Sequence, residues 1–228
     1  DLGALGGSDC ISYGADINNL GQVVGRSYIE PNQWDPPHAF IWASGTMTDL
    51  GTLPGDDCSV ANAINNNGVI VGVSSHQNGD VSVKQGFFWN PSSGMAGAEP
   101  LTADCNTEIV DINDEDAAAG YSEDEYGNQH AVFWDDGTPV DLGSLGGSRS
   151  IARAINNSEI IVGSSETDER GPVHAFIWKD SVMDDLNDLI PSDSGWELLD
   201  AYDINENGQI IGYGTHNGYT RAFLLTPI

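Results

Sequence analysis

Positive charge is what this chain has least of: Lys and Arg number 7 against 35 Asp and Glu, a formal net charge of −28. A field of that sign repels phosphate, which argues against nucleic acid and anionic membrane surfaces as partners. Metal cations, basic partners and neutral glycans stay open. Cysteine is also scarce, and Cys10, Cys58 and Cys105 include no C-x-x-C pair, so neither a zinc signature nor a disulfide framework is indicated. No apolar run approaches the ~18 residues of a membrane-spanning helix, so no membrane insertion is expected. The first seven residues lack a basic stretch followed by an apolar one; the expectation is a chain whose leader has been removed, or a fragment. Enzyme motifs are missing as well: there is no G-x-S-x-G elbow, no Walker loop and no H-E-x-x-H. The acidic pairs Asp124–Glu125 and Asp168–Glu169 read as solvated loop charge.

What is present is repetition. An Ile-Asn pair recurs at Ile17-Asn18, Ile64-Asn65, Ile112-Asn113, Ile155-Asn156 and Ile204-Asn205. Seven residues after each asparagine comes a glycine: Gly25, Gly72, Gly120, Gly163 and Gly212. An aromatic segment follows, as in His38-Ala39-Phe40-Ile41-Trp42 and His174-Ala175-Phe176-Ile177-Trp178, and then an Asp-Leu-Gly run at Asp49 and Asp141. The polar Asn/Gly turn between Asn65 and Gly68 is hairpin chemistry, and Val69-Ile70-Val71 is a β-branched strand. Each unit thus reads as four short strands, and a period of 43 to 49 residues fits a propeller blade.

The expected fold is all-β: a single five-bladed β-propeller over residues 1–228, with four antiparallel strands per blade. The units are 4–51, 52–101, 102–143, 144–187 and 188–228. The last unit lacks a fourth strand, whereas residues 1–3 begin with Asp-Leu-Gly. The N-terminal strand is therefore expected to close the last blade and hide both edges.

Repeated positions report packing. Trp42, Trp89, Trp134 and Trp178 read as blade-to-blade core, and His38, His130 and His174 as hydrogen-bonding ties between blades. The repeated asparagine reads as a turn residue satisfying local backbone groups. Asp203-Ile204-Asn205-Glu206-Asn207-Gly208 matches the opening of a calcium loop, but its twelfth position is Gly214 in place of the bidentate Glu. Asp16, Asp111 and Asp203 are the metal candidates, with Ca²⁺ the ion; no cofactor is required.

Unrepeated positions report specialisation. The connection between the second and third strands varies in length and content, and loops on a rigid scaffold commonly carry binding. Its candidate ligand-binding residues are Tyr28, Trp34, His76, Tyr126, Arg170, His216 and Tyr219. Aromatic faces beside Asn, Asp and Gln suit sugars. The units Asp-Leu-Gly-x-Leu-Gly-Gly, Ala-Ile-Asn-Asn-Asn-Gly-x-Ile-Val-Gly and His-Ala-Phe-Ile-Trp resemble the HAF-repeat family of probable extracellular proteins. So does the ending Arg221-Ala222-Phe223-Leu224-Leu225-Thr226-Pro227. That resemblance implies export to the surface or matrix of a bacterium and brings no catalytic residues. The third unit departs most from it, with Asp114-Glu115-Asp116 in its turn and Ala117-Ala118-Ala119 for its apolar strand, and a distorted blade is expected there. Three functions follow as expectations. The first is a secreted binding module for glycan or matrix polymer. The second is a self-assembling structural protein of a sheath or filament, and the third a polysaccharide hydrolase or lyase, which needs two carboxylates at a set separation.

Overall fold

The computed structural model describes residues 1–31, 35–76 and 83–227. It contains five antiparallel sheets in chain order, the blades of a β-propeller. Blade 1 is β1 (Ser12–Ile17), β2 (Val23–Ser27), β3 (His38–Ala43) and β4 (Thr46–Gly51). Blade 2 is β5 (Cys58–Ile64), β6 (Ile70–Ser75), β7 (Lys84–Asn90) and β8 (Gly94–Gly97). Blade 3 is β9 (Thr107–Ile112), β10 (Ala118–Glu123), β11 (Gln129–Asp135) and β12 (Thr138–Asp141). Blade 4 is β13 (Ser150–Ile155), β14 (Ile161–Glu166), β15 (Val173–Lys179) and β16 (Val182–Asp185), followed by a short 3₁₀ turn (Leu186–Leu189). Blade 5 has three strands, β17 (Trp196–Ile204), β18 (Ile210–His216) and β19 (Tyr219–Leu225).

The first strand of every blade carries a β-bulge just before its Ile, with Ala15, Asn62, Val110, Arg153 or Tyr202 as the extra residue. The bulge drives a carbonyl toward the second strand, where the repeated glycine sits. A Cβ on Gly72 would collide with the Val60 carbonyl oxygen, and one on Gly163 with that of Ile151. The glycine spacing is constant because the bulge is. Blade 3 keeps the same plan, contrary to the expected distortion. Asp116 adopts the left-handed conformation that Gly68 takes in blade 2, and Ala117, Ala118 and Ala119 are all buried.

Four apolar clusters fill the four joints between successive blades. In the joint between blades 3 and 4, Ala119, Ala131 and Phe133 meet Ile155, Ile161, Phe176 and Trp178. The other joints repeat this with Val24, Val71 or Val162 on one side and Ile64, Ile112 or Ile204 on the other. Trp89, Trp134 and Trp178 are joint core, as expected; Trp42 joins no such cluster among the described residues.

One expectation fails. Residues 1–3 form no strand, and β19 is an edge of a three-stranded sheet. The blade 5 to blade 1 joint stays open, so the segment does not reach β19 although it is anchored on blade 1: the Gly3 carbonyl accepts from the Ser12 hydroxyl at 2.7 Å and the Leu5 N–H donates to Ser27 Oγ at 2.9 Å. Gly51 and Leu53 dock on blade 2 in the same way, through Ser59 and Ser74. The Asp-Leu-Gly run thus reaches its proper arrival point on blade 1 without pairing with β19.

Substituting Gly72→Ala should cost about 2–3 kcal/mol by forcing the bulge apart. Gly14→Ala, whose Cβ would meet only Val23 Cγ1 at 3.5 Å, should stay within about 0.5 kcal/mol of the parent. Urea unfolding midpoints of the two variants check this.

Candidate functional site

Antiparallel order gives the propeller two unlike ends. The turns between first and second strands lie at one end. The connections from second to third strands, and from each fourth strand to the next blade, lie at the other. The two ends carry different chemistry.

At the first end each asparagine does two jobs. Asn65 Oδ1 accepts from the Asn67 and Val69 N–H groups, which closes its own turn. Its amide nitrogen donates to the Asn113 carbonyl of the next blade at 2.9 Å. Asn18 donates likewise to Asn65, Asn113 to Asn156, and Asn156 to Asn205. A second series runs beside it: the backbone N–H of Asn19 donates to Asn66, Asn66 to Asp114, Asp114 to Asn157, and Asn157 to Glu206. The turn role was legible in the sequence, whereas the inter-blade role was not. These side chains line an axial cavity of about 190 Å³.

The metal candidates lie around this axis. Asp111 is half-buried, and its desolvation, helped by the charges of Asp203 and Asp16, pushes its pKa up to about 7, against hydrogen bonds from the Ile155 and Ile112 N–H groups. The three carboxylates therefore sense one another. Among the described residues, however, no group of three or more His, Cys, Asp or Glu is arranged to hold a metal ion. The calcium-like segment at Asp203 is folded as a hairpin turn, with Asn205 Oδ1 accepting from Asn207 and Gln209.

At the second end the repeated histidine meets the aspartate of the Asp-Leu-Gly run, or of Asp185-Leu186-Asn187 at the same place in blade 4. His38 Nδ1 lies 2.9 Å from Asp49, His130 Nδ1 3.2 Å from Asp141, and His174 Nδ1 2.6 Å from Asp185. These pairs join third and fourth strands within a blade; the expected tie between blades is seen only at His174, whose Nε2 lies 3.8 Å from Glu197 of blade 5, among the described residues. The hydrogen bond that His38 donates to Asp49 raises the His38 pKa against the effect of burial.

The candidate ligand residues divide. Tyr126 and Tyr219 are 80% and 65% exposed. Arg170 is exposed on a left-handed turn, with φ of 67°. His76 is exposed and paired with Asp57 at 3.1 Å. Tyr28 is half-buried, its N–H bonded to Ile11. His216 is stacked on Trp196 with ring centroids 4.7 Å apart, a packing role. Trp34 lies outside the described residues. The Tyr219 ring carries the Arg221 guanidinium at 5.2 Å, and Tyr126 stands on a turn next to a cleft of ionisable groups. Its turn is set by Asp124, whose carboxyl accepts from the Tyr126 and Asn128 N–H groups. Hydrogen bonding, chiefly from the Asn128 amide, holds Asp124 at about 2. Asp124 and Asp141 flank His130 and, with Glu123, Leu101 and Thr102, line a cleft of about 260 Å³. The sequence marked Tyr126 by its variable loop; the cleft depends on a histidine and aspartate that look purely repetitive.

The family pattern described as "Protein of unknown function (DUF3466)" matches residues 46–216. The chain belongs to the DUF3466 family. No curated protein matches it. Among solved structures it is similar to TolB from Acinetobacter baumannii, with a TM-score of 0.60 and 12% identity over 96% of this chain and 53% of that one. An acylaminoacyl peptidase from Pyrococcus horikoshii aligns at a TM-score of 0.46 and 12% identity, over 94% of this chain and 45% of that one. A glycosyl hydrolase from Bacteroides ovatus aligns at 0.38 and 9%, over 97% and 85%. The chain spans about half the length of TolB. At 12% identity the likeness to TolB supports the propeller fold and nothing finer. Among the described residues of this DUF3466 chain, no helix is long and apolar enough to cross a membrane.

The Asp111 shift makes a pH prediction. A folded-state pKa raised to about 7 contributes stability that is fully present below the unfolded value near 4 and lost as pH rises through 7. Asp111→Asn removes that dependence. Relative to the parent, the variant should gain on the order of 2–4 kcal/mol between pH 4 and pH 8, read from denaturant midpoints at the two pH values.

Proposed function

We propose that this protein is a binding module for a neutral glycan or matrix polymer, engaged at the end where the second-to-third strand loops open. The observation that carries the reading is Tyr126, an exposed ring on a hydrogen-bonded turn beside the cleft of Glu123, Asp124, His130 and Asp141. An aromatic face stacks on sugar C–H groups, and carboxylate and imidazole edges take hydroxyls. A rigid turn limits the ordering cost of binding. Tyr219, exposed at the same end of blade 5, offers a second ring for an extended polymer. The net charge of −28 selects against anionic polymers. The HAF-repeat resemblance supports an extracellular or cell-surface setting, where such polymers are met.

Neutral polysaccharides should be retained on immobilised protein, tested with and without calcium, and eluted by excess soluble glycan. Tyr126→Ala should weaken retention about tenfold, and Tyr219→Ala by a smaller factor on long chains only. Retention of none of the polymers under either condition would defeat the proposal.

A further inference from the structure

The joint that recurs four times has its two halves left over at the ends of the arc. Ile17 is 63% exposed, whereas its counterparts Ile64, Ile112, Ile155 and Ile204 are all buried. Ile211 and Leu224 are 48% and 61% exposed, although Val24, Val71, Ala119 and Val162 at the Ile211 position are buried. A largely apolar cleft of about 310 Å³, lined by Ile190, Trp196, Phe223 and Leu225, runs beside the free edge of β19.

Hydrogen bonding at the joints states what would fit there. The residue before the repeated Ile alternates: Asp16, Ala63, Asp111, Ala154, Asp203. Each aspartate uses Oδ1 to accept its own blade's Ile N–H, at Ile17, Ile112 and Ile204. It uses Oδ2 to accept the Ile N–H of the following blade: Ile64 donates to Asp16 at 2.8 Å and Ile155 to Asp111 at 2.9 Å. Those recipients, in blades 2 and 4, have alanine before the Ile, so their N–H is free to cross. Asp203 accepts only from Ile204 among the described residues, leaving its Oδ2 without the crossing donor. Blade 1 cannot supply it, because the Ile17 N–H is already taken by Asp16. An odd ring breaks the alternation, and so does docking of blade 1 from another copy.

We propose that the seam between blades 5 and 1 is the seat of one further repeat unit of the blade 2 and blade 4 kind, with a non-acidic residue before its Ile. Its leading face covers Ile211 and Leu224, and its Ile N–H donates to Asp203. Its trailing face covers Ile17, and its third strand pairs with the Asp1-Leu2-Gly3 run already docked on blade 1. The inference is independent of the glycan reading.

The test appends to Ile228 a copy of residues 136–179, which supplies a fourth strand for blade 5 and three strands of a sixth blade. A second fusion carries Ala154→Asp in the copy. Hydrogen exchange of the outward β19 amides (those that point away from β18), thermal midpoint and sedimentation mass are measured for the parent and both fusions. The parent should sediment as a monomer with fast-exchanging outward β19 amides. The alanine fusion should slow their exchange at least tenfold and raise the midpoint, and the aspartate fusion should lose most of both gains. Protected outward β19 amides in the monomeric parent, meaning closure by its own N-terminus, would overturn the proposal. So would protection that appears only in a parent dimer, no protection in the alanine fusion, or equal protection in the two fusions.

Discussion

Everything in this molecule hangs on one directional contact, the amide of an asparagine in one blade donating to the backbone carbonyl of the next blade's asparagine. It occurs at all four joints, always with the same polarity. Because the same side chain also closes its own turn, the position of each blade is tied to the shape of its hairpin. Apolar burial at the joints supplies the larger share of the stabilisation, being non-directional and proportional to area. The asparagine chain supplies the register, since a buried amide left without its acceptor costs more than the bond returns when made.

That division explains which parts of the structure could be read in advance. Blade number, strand count and the turn role of asparagine follow from short-range patterns: β-branched runs, Asn/Gly turns, and a glycine at fixed distance. The cause of that fixed distance, the bulge before each Ile, is a backbone event with no side-chain signature. The His–Asp pairing is a cross-strand contact between positions 11 residues apart, such as His38 and Asp49, and spacing alone does not separate it from a contact between blades.

Closure was the point where periodicity misled. Asp1-Leu2-Gly3 carries the sequence of a fourth strand and docks where a fourth strand should arrive, on Ser12. Whether it also meets β19 depends on the angle accumulated over four joints, which no local pattern encodes. The aspartate–alanine alternation before the Ile was visible as residue sizes, but its meaning needs the two carboxylate oxygens to be seen bonding to two different blades. The candidate site was legible in half: Tyr126 stands out as unrepeated, whereas His130 and Asp141 beside it are hidden among repeated positions.

The account's central claim is that the asparagine amide holds blade to blade. Asn113 and Asn205 close their turns in the same way, but Asn113 donates onward to Asn156, whereas among the described residues Asn205 donates only to Gln209 in its own blade. Replacing either by Asp keeps the turn-closing oxygen and deletes the donor. Equilibrium denaturation should give a loss of about 2 kcal/mol or more for Asn113→Asp and within about 0.5 kcal/mol for Asn205→Asp. Equal losses in the two variants would contradict it.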